Sequence, residues 1–422
     1  MKQPVTRREF LRMAGLVSLG AGMLPSSTLA AIRQTDALKI TKVEAVTFSE
    51  KIKIGGGSGG SGGAEFCWVR LHTDGGFVGL GETYPFSSGE IGTLKDYTRQ
   101  LIGKDPRDID GIWQSFYHAM AMRNAGGADM RILSAINMAQ MDILGKASGL
   151  PLYRLLGGKT RSQVKVYNTT TDYWAINNMK MGEDTIEIVR FLLDRGITCM
   201  KIYPFHATGP YITASEIESG LEWIRQIRDT AGNKMDICVD CWGRFDLPGA
   251  QRIARALEPY GILYLEDVML MNNAKSYAAL AAETSVPICM SETLATRYEY
   301  REFFEMKACD VIMYDLTWCG GITEAKKISD MADTYFIPAS PHTCGGPLLW
   351  VASIHLTTAL PNFLIMESNY WKYTHQYPYF INQVPVPVEG YVSAPESPGL
   401  GMEIRPEIFE NGDAIVETIA EI

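Results

Sequence analysis

The sequence predicts an α/β protein whose larger part is a parallel β/α barrel. Eight short apolar runs between residues 164 and 368 alternate with amphipathic helical stretches, which is the pattern of strand and crossover helix repeated around a barrel. No Gly-x-Gly-x-x-Gly follows the first run, as a doubly wound open sheet with a dinucleotide site would carry. Acids close several consecutive runs, and barrel enzymes place their chemistry at the C-terminal ends of their strands.

The chain of 422 residues is 46% hydrophobic and 21% charged, an ordinary globular composition long enough for two domains or one barrel with additions. Its net charge of −9 and the absence of a basic tract exclude nucleic acid and anionic membrane as natural partners. The first segment, "TRREFLRMAGLVSLGAGMLPSSTLAA" (6–31), carries Arg7-Arg8, a short apolar stretch and small residues. It reads as a twin-arginine export signal over residues 1–31, cut near Ala30 or Ala31, and predicts a periplasmic protein. The apolar stretch is too short and glycine-rich for a membrane anchor. The eight cysteines are scattered among apolar runs and are expected to be buried free thiols.

Residues 38–48, 65–72 and 76–82 read as a small antiparallel sheet, the last two joined by the "TDGG" turn at 73–76. Between the first two lies "GGGSGGSGG" (55–63), whose composition suits either an inert linker or a mobile lid. Helical periodicity fills 90–150 and completes a first domain of residues 32–160. The barrel occupies 161–384, with strands at 164–170, 197–203, 235–240, 262–267, 286–292, 310–315, 335–342 and 362–368. The tail from about 385 to 422 is expected to pack back on the first domain.

Asp240, Glu266 and Glu292 end the third, fourth and fifth runs at a spacing of 26 residues each time, one β/α unit per step. Three carboxylates at one height on a barrel rim repel unless a cation gathers them, and an all-oxygen set suits Mg²⁺. Asp267, next in sequence, is a candidate hydrogen-bond partner in the same region. Asp315 and His342 end the sixth and seventh runs, where the carboxylate would orient the imidazole as a general base. Glu367, on the eighth run, is either a partner for a substrate carboxylate or a plain rim residue. Lys201 and Tyr203 share one face of the second strand. The lysine would neutralise charge developing on a substrate carboxylate, or form a structural ion pair with the ligand acids. Tyr84, Phe86, Ser87 and Ser88 of "ETYPFSSGE" (82–90), Arg123, Asn124, Asn168, Trp242 and Trp318 are further candidates for contact with substrate.

These residues resemble those of the enolase superfamily, mandelate racemase/muconate lactonizing enzyme subgroup. The signature "AINMAQMDILGKASGLPLYRLLGG" (135–158) and "TWCGGITEAKKIS" (317–329) carry the resemblance, which covers nearly everything after residue 38. It implies a modified (β/α)7β TIM barrel with an α+β N-terminal capping domain, Mg²⁺ on Asp240, Glu266 and Glu292, and an Asp315–His342 dyad. It also implies a small carboxylate substrate and a homo-oligomer. In such enzymes the metal binds the substrate carboxylate while a base removes the neighbouring α-proton. Racemases of the subgroup carry Lys-x-Lys on the second strand, whereas this sequence reads Lys201-Ile202-Tyr203. Some acid-sugar dehydratases carry a histidine two residues beyond the first metal ligand, where Trp242 stands here. The remaining one-sided site resembles that of dehydratases working with the His–Asp dyad alone, and implies a sugar-acid dehydratase forming a 2-keto-3-deoxy acid. The alternatives are an epimerase, racemase or cycloisomerase using the same enolate, or a binding protein without catalysis.

Overall fold

The computed structural model describes residues 38–49, 52, 64–84, 88–120, 126–170, 176–207 and 209–422. The twin-arginine segment, the glycine run, Phe86, Ser87, Arg123 and Asn124 lie outside the described residues. Strands β1 (Ile40–Phe48), β2 (Cys67–Thr73) and β3 (Val78–Thr83) form an antiparallel sheet. Gly76 at φ 79° makes the tight turn that joins the last two, with Thr73 bonded across it to Phe77.

Helices α1 (Ser88–Leu101), α2 (Ile109–Met120) and α3 (Gly127–Ser148) follow. Helix α3 lies directly on β3. A Cβ at Gly79 would stand 2.2 Å from the Ala139 carbonyl oxygen, and one at Gly81 1.8 Å from that of Ala135. The alternating glycines of "VGLGE" therefore make the smooth face that admits the helix backbone. The other side of α3 meets the barrel: Ser134 Oγ accepts from the Gly320 N–H at 2.9 Å and Asn137 Nδ2 donates to Thr323 Oγ1 at 2.8 Å.

The barrel strands are β4 (Val164–Thr170), β5 (Cys199–Ile202), β6 (Asp236–Asp240), β7 (Tyr264–Glu266), β8 (Ile288–Met290), β9 (Val311–Ile312) and β10 (Met366–Ser368). They pair in parallel in that order, and β10 returns to β4. The expected seventh strand makes only bridges, Ile312 to Ala339, Asp315 to His342 and Ala339 to Phe363. Pro338 and Pro341 flank the bridged residues and supply no N–H, so a continuous ladder cannot form there. The bridges still close the ring.

The crossover helices are α4 (Thr185–Leu193), α5 (Ala214–Ala231), α6 (Leu247–Leu257), α7 (Ala274–Glu283), α8 (Thr296–Glu305), α9 (Ile322–Thr334) and α10 (Pro347–Ala359). Inside the ring, Tyr167, Cys199, Cys238, Tyr264, Cys289 and Met313 form a buried layer. Side chains two residues apart share a strand face, so Lys201, Asp240 and Glu266 stand one layer above Cys199, Cys238 and Tyr264. Sulfur and aromatic packing is thus the floor of the polar rim. All eight cysteines are unpaired, seven of them buried.

In the tail, β11 (Tyr391–Val392) pairs with β4, and β12 (Ala414–Glu421) pairs antiparallel with β1. The first sheet therefore has the order β12-β1-β2-β3, the two ends of the described chain lying side by side. No described helix is long and apolar enough to cross a membrane.

Candidate active site

Lys201 sits at the centre of the rim, fully buried. Its Nζ lies 2.8 Å from Glu266 Oε1, 3.1 Å from Glu367 Oε1 and 3.3 Å from Asp240 Oδ2. Burial alone would lower the ammonium, but Glu266 and Glu367 outweigh it and hold Lys201 well above the ordinary lysine value. Burial pushes the Glu367 carboxyl upward, but Lys201, His342 and the Thr343 N–H pull it down to about 2. That N–H donates to Glu367 Oε2 at 2.8 Å, and the Thr343 hydroxyl donates to the Glu367 carbonyl at 2.7 Å.

His342 is tied on both ring nitrogens. Nδ1 stands 2.7 Å from Asp315 Oδ2, and Nε2 lies 3.0 Å from Glu292 Oε2 and 3.5 Å from Glu367 Oε2. The far oxygen of Asp315 accepts from Thr317, from the N–H at 2.6 Å and the hydroxyl at 2.5 Å. Burial would depress the imidazole, yet Glu292, Glu367 and Asp315 raise it to about 9. The Trp318 ring tilts over His342 at 5.2 Å and stacks on Tyr84 at 6.4 Å, 8° from parallel, while its Nε1–H donates to the Tyr84 carbonyl.

The acids of the rim outnumber its two bases. Asp240 and Glu266 are paired in register on β6 and β7, both buried. Glu292 follows β8, and its side chain is 14% exposed. Burial and the Asp240 charge hold Glu266 well above the ordinary carboxylate range, while burial with Glu292 and Asp240 does the same to Asp267. Glu292 is raised too, by burial and then by Asp240 and Glu367, with His342 and Lys201 opposing. Among the described residues no three His, Cys, Asp or Glu side chains are gathered as a ready set of metal ligands. Glu292 is turned onto His342 instead, while Lys201 spans the other two acids. The donor chemistry nevertheless fits a hard divalent cation. Every donor is a carboxylate oxygen, Glu266 Oε2 is buried without a hydrogen-bond partner, and Asp240 Oδ2 has only the 3.3 Å approach of Lys201.

Comparison with known proteins decides the family. Residues 42–157 match the mandelate racemase / muconate lactonizing enzyme N-terminal domain, and residues 184–408 match the enolase C-terminal domain-like family. The chain belongs to the enolase superfamily. It is 31% identical over 348 residues to a D-galactonate dehydratase of Ralstonia nicotianae, covering 80% of this chain and 88% of that one. It is 28% identical over 350 residues to a D-xylonate dehydratase of Haloferax volcanii, covering 81% and 84%. An enolase of the mandelate racemase subgroup from Agrobacterium tumefaciens superposes with a TM-score of 0.79 at 35% identity, over 91% of this chain and all of that one. A member of the superfamily from Salmonella Typhimurium gives 0.83 at 27% identity, over 90% of this chain and 100% of that one.

In this enolase-superfamily enzyme the remaining candidates fall into three places. Tyr203 reaches the rim half-buried, its ring edge-on to Trp242 at 5.3 Å, and burial pushes its phenol well above 10. Trp242 lies at the mouth with φ 53°, its N–H donating to Asp240 Oδ1 at 2.8 Å. Asn168 is engaged within the fold: Nδ2 donates to the Thr169 carbonyl and Thr170 Oγ1, and Oδ1 accepts the Tyr370 N–H at 2.8 Å. It joins β4 to the segment after β10 and is fully buried, a placement that suits scaffolding more than substrate contact.

Sequence reasoning passed over Thr317, Thr343 and Glu82. Glu82, at the end of β3, is fully buried and reaches across to the barrel. It accepts the N–H groups of Gly346 at 2.8 Å, Leu348 at 3.1 Å and Leu349 at 3.3 Å, and the Trp68 indole at 3.1 Å. These N–H groups open α10, immediately after the His342 loop, so a capping-domain acid fixes the segment that carries the imidazole. A Cβ at Gly346 would stand 2.4 Å from Glu82 Oε2, which is why the residue just before that helix is glycine. From the other side Lys372 donates to the Cys344 and Gly345 carbonyls, and Tyr377 to that of Gly345.

Proposed function

We propose that the protein is a Mg²⁺-dependent dehydratase of a sugar acid, an aldonate or close relative, removing the C2 proton and the C3 hydroxyl to give a 2-keto-3-deoxy acid. What supports it is the one-sidedness of the site. His342, held by Asp315, is a nitrogen base within the rim. On the second strand, where racemases of the subgroup carry their second lysine, Tyr203 carries a phenol that burial pushes well above its ordinary value. Proton transfer that inverts C2 needs a partner on each face, whereas elimination needs one. The dehydratase names of the relatives support the same reading. An epimerase or cycloisomerase using the same enolate is the second reading, and Tyr203 is what disfavours it.

In this mechanism neutral His342 takes the C2 proton at Nε2 while Asp315 holds Nδ1–H. Lys201 faces the substrate carboxylate as negative charge builds there. The imidazolium then returns its proton to the departing C3 hydroxyl, water leaves, and the enol tautomerises to the ketone. Asp240, Glu266 and Glu292 would hold Mg²⁺, which when bound supplies positive charge to the substrate carboxylate. The base must be neutral to begin, yet an imidazole at about 9 is protonated at pH 7. Glu292 is the largest of the charges that raise it, so a Glu292 carboxylate that held a cation would raise the imidazole less.

The expected test is a keto-acid assay over a panel of sugar acids. Turnover should stop with chelator and return with Mg²⁺, and His342→Asn should lower it by at least ~10²-fold. Undiminished turnover in that variant would remove the base assignment. The paired arginines at 7–8 support export by the twin-arginine route and a periplasmic enzyme, and the family resemblance supports a homo-oligomer.

A further inference from the structure

The mouth of the site does not end at the catalytic acids. A cavity of about 250 Å³ reaches from Asp267 and Glu292 to Trp242 and Leu270. A second, of about 570 Å³, runs outward between the loops after β7 and β8 toward α7 and α8. Leu270, Met271 and Thr293 line both, so the two form one trough. The inner part is smaller than the roughly 300–1,000 Å³ usual for a small-molecule site, and the outer part falls within that range.

At the step between them stands an apolar shelf open to solvent, Trp242 at 56% and Leu270 at 66% exposure. It is firmly built. The Gly243 N–H donates to the Asp267 carbonyl at 2.5 Å and the Phe245 N–H to that of Val268 at 3.0 Å, binding the two shelf-bearing loops together. An exposed indole beside an exposed leucine at a site mouth is a platform for a ligand with an apolar face. Beyond it polar side chains, Asn272, Lys275 and Glu302, join Leu294 and Phe303 in the lining. Glu299 adds a second acid against the one lysine, so the outer trough suits a neutral polyol surface rather than another anion.

We propose that the outer trough is a subsite for a neutral sugar unit, and that the substrate class is a sugar acid glycosylated at O4, beyond the reacting C2 and C3, an aldobionic acid. This rests on the sugar-acid reading above. The acid head would lie at Lys201 and His342, the inner cavity, which meets His342 through Glu292, would take the chain outward, and the glycosyl ring would lie with its C–H face on Trp242 and Leu270 and its hydroxyls toward the polar groups of the outer lining. The elimination leaves the glycosidic bond intact.

The test compares gluconate, galactonate and xylonate, each beside its O4-glycosylated form, by turnover on the Mg²⁺-loaded enzyme and by calorimetric binding to the His342→Asn variant. A glycosylated acid should exceed its parent by about tenfold or more in kcat/KM, chiefly through KM, and should bind more tightly by a similar factor. Leu270→Ser should bring the paired values together. Equal turnover and binding of parent and glycosylated acids would overturn the subsite while leaving the dehydratase intact. Tighter binding of a glycosylated acid with no keto acid from any compound would uphold the subsite and remove the dehydratase reading.

Discussion

Asp315 holds His342 with one oxygen and is held by Thr317 with the other, so the base is positioned at two removes. Thr317→Val deletes the hydroxyl donor but keeps the N–H bond and the side-chain shape. A hydrogen bond to a charged group contributes about 1.5–3 kcal/mol, so kcat is expected to fall about tenfold or more with KM little changed. Steady-state kinetics checks this, and an unaltered kcat would mean that the N–H alone orients the carboxylate. Asp240, Glu266, Asp315, His342 and Glu367 were legible because each lies at or beside the end of a strand run and acids there need a reason. Lys201 left two readings open in the sequence, and the structure places its ammonium against three of those acids. Thr317 was readable in principle, since Asp-x-Thr is a local hydrogen-bonding pattern. Glu82 was not: its partners at the start of α10 lie more than 260 residues away, and only the packed structure brings them together.

Among the elements, the contact of β3 with α10 ties the capping domain to the barrel. Glu82→Ala would leave the N–H groups of Gly346, Leu348 and Leu349 and the Trp68 indole buried without an acceptor. The expected loss of stability is about 3 kcal/mol or more, read by denaturant unfolding. The His342 loop should loosen at the same time, visible as faster amide exchange over residues 343–349; unchanged stability and exchange would remove Glu82 from this role. The capping sheet and the order of the barrel strands follow from alternation, glycine turns and apolar runs in the sequence. The seventh strand did not, because "YFIPASPH" has the composition of a strand while its two prolines deny it the ladder. The fourth strand of the first sheet comes from the far end of the chain, a pairing that periodicity alone cannot specify.

At the scale of the whole molecule, the barrel, the capping domain and the tail are joined through buried polar groups, and one of them sets a pH limit. His355, on α10, is fully buried; its Nδ1 accepts the Tyr153 N–H at 3.4 Å and its Nε2–H donates to the Leu400 carbonyl at 3.0 Å. Burial lowers it to about 4 from an ordinary 6.5. Above pH 6.5 the imidazole is neutral in folded and unfolded chains alike, and its contribution to stability is complete. As pH falls from 6.5 toward 4 the unfolded chain takes the proton first, and about 3 kcal/mol is lost across that window. His355→Gln should flatten that part of the stability–pH curve measured by denaturant titration; an unchanged slope would place the acid sensitivity elsewhere.

The fate of the C2 proton tests the account most directly. The Mg²⁺-loaded enzyme, incubated in D₂O with a sugar acid it turns over and followed by proton NMR, is expected to yield 2-keto-3-deoxy acid carrying solvent deuterium at C3, with residual substrate undeuterated at C2 or exchanged without inversion. Accumulation of the C2 epimer bearing deuterium, with no keto acid, would contradict a one-sided base and place a second proton-transfer group on the face of Tyr203.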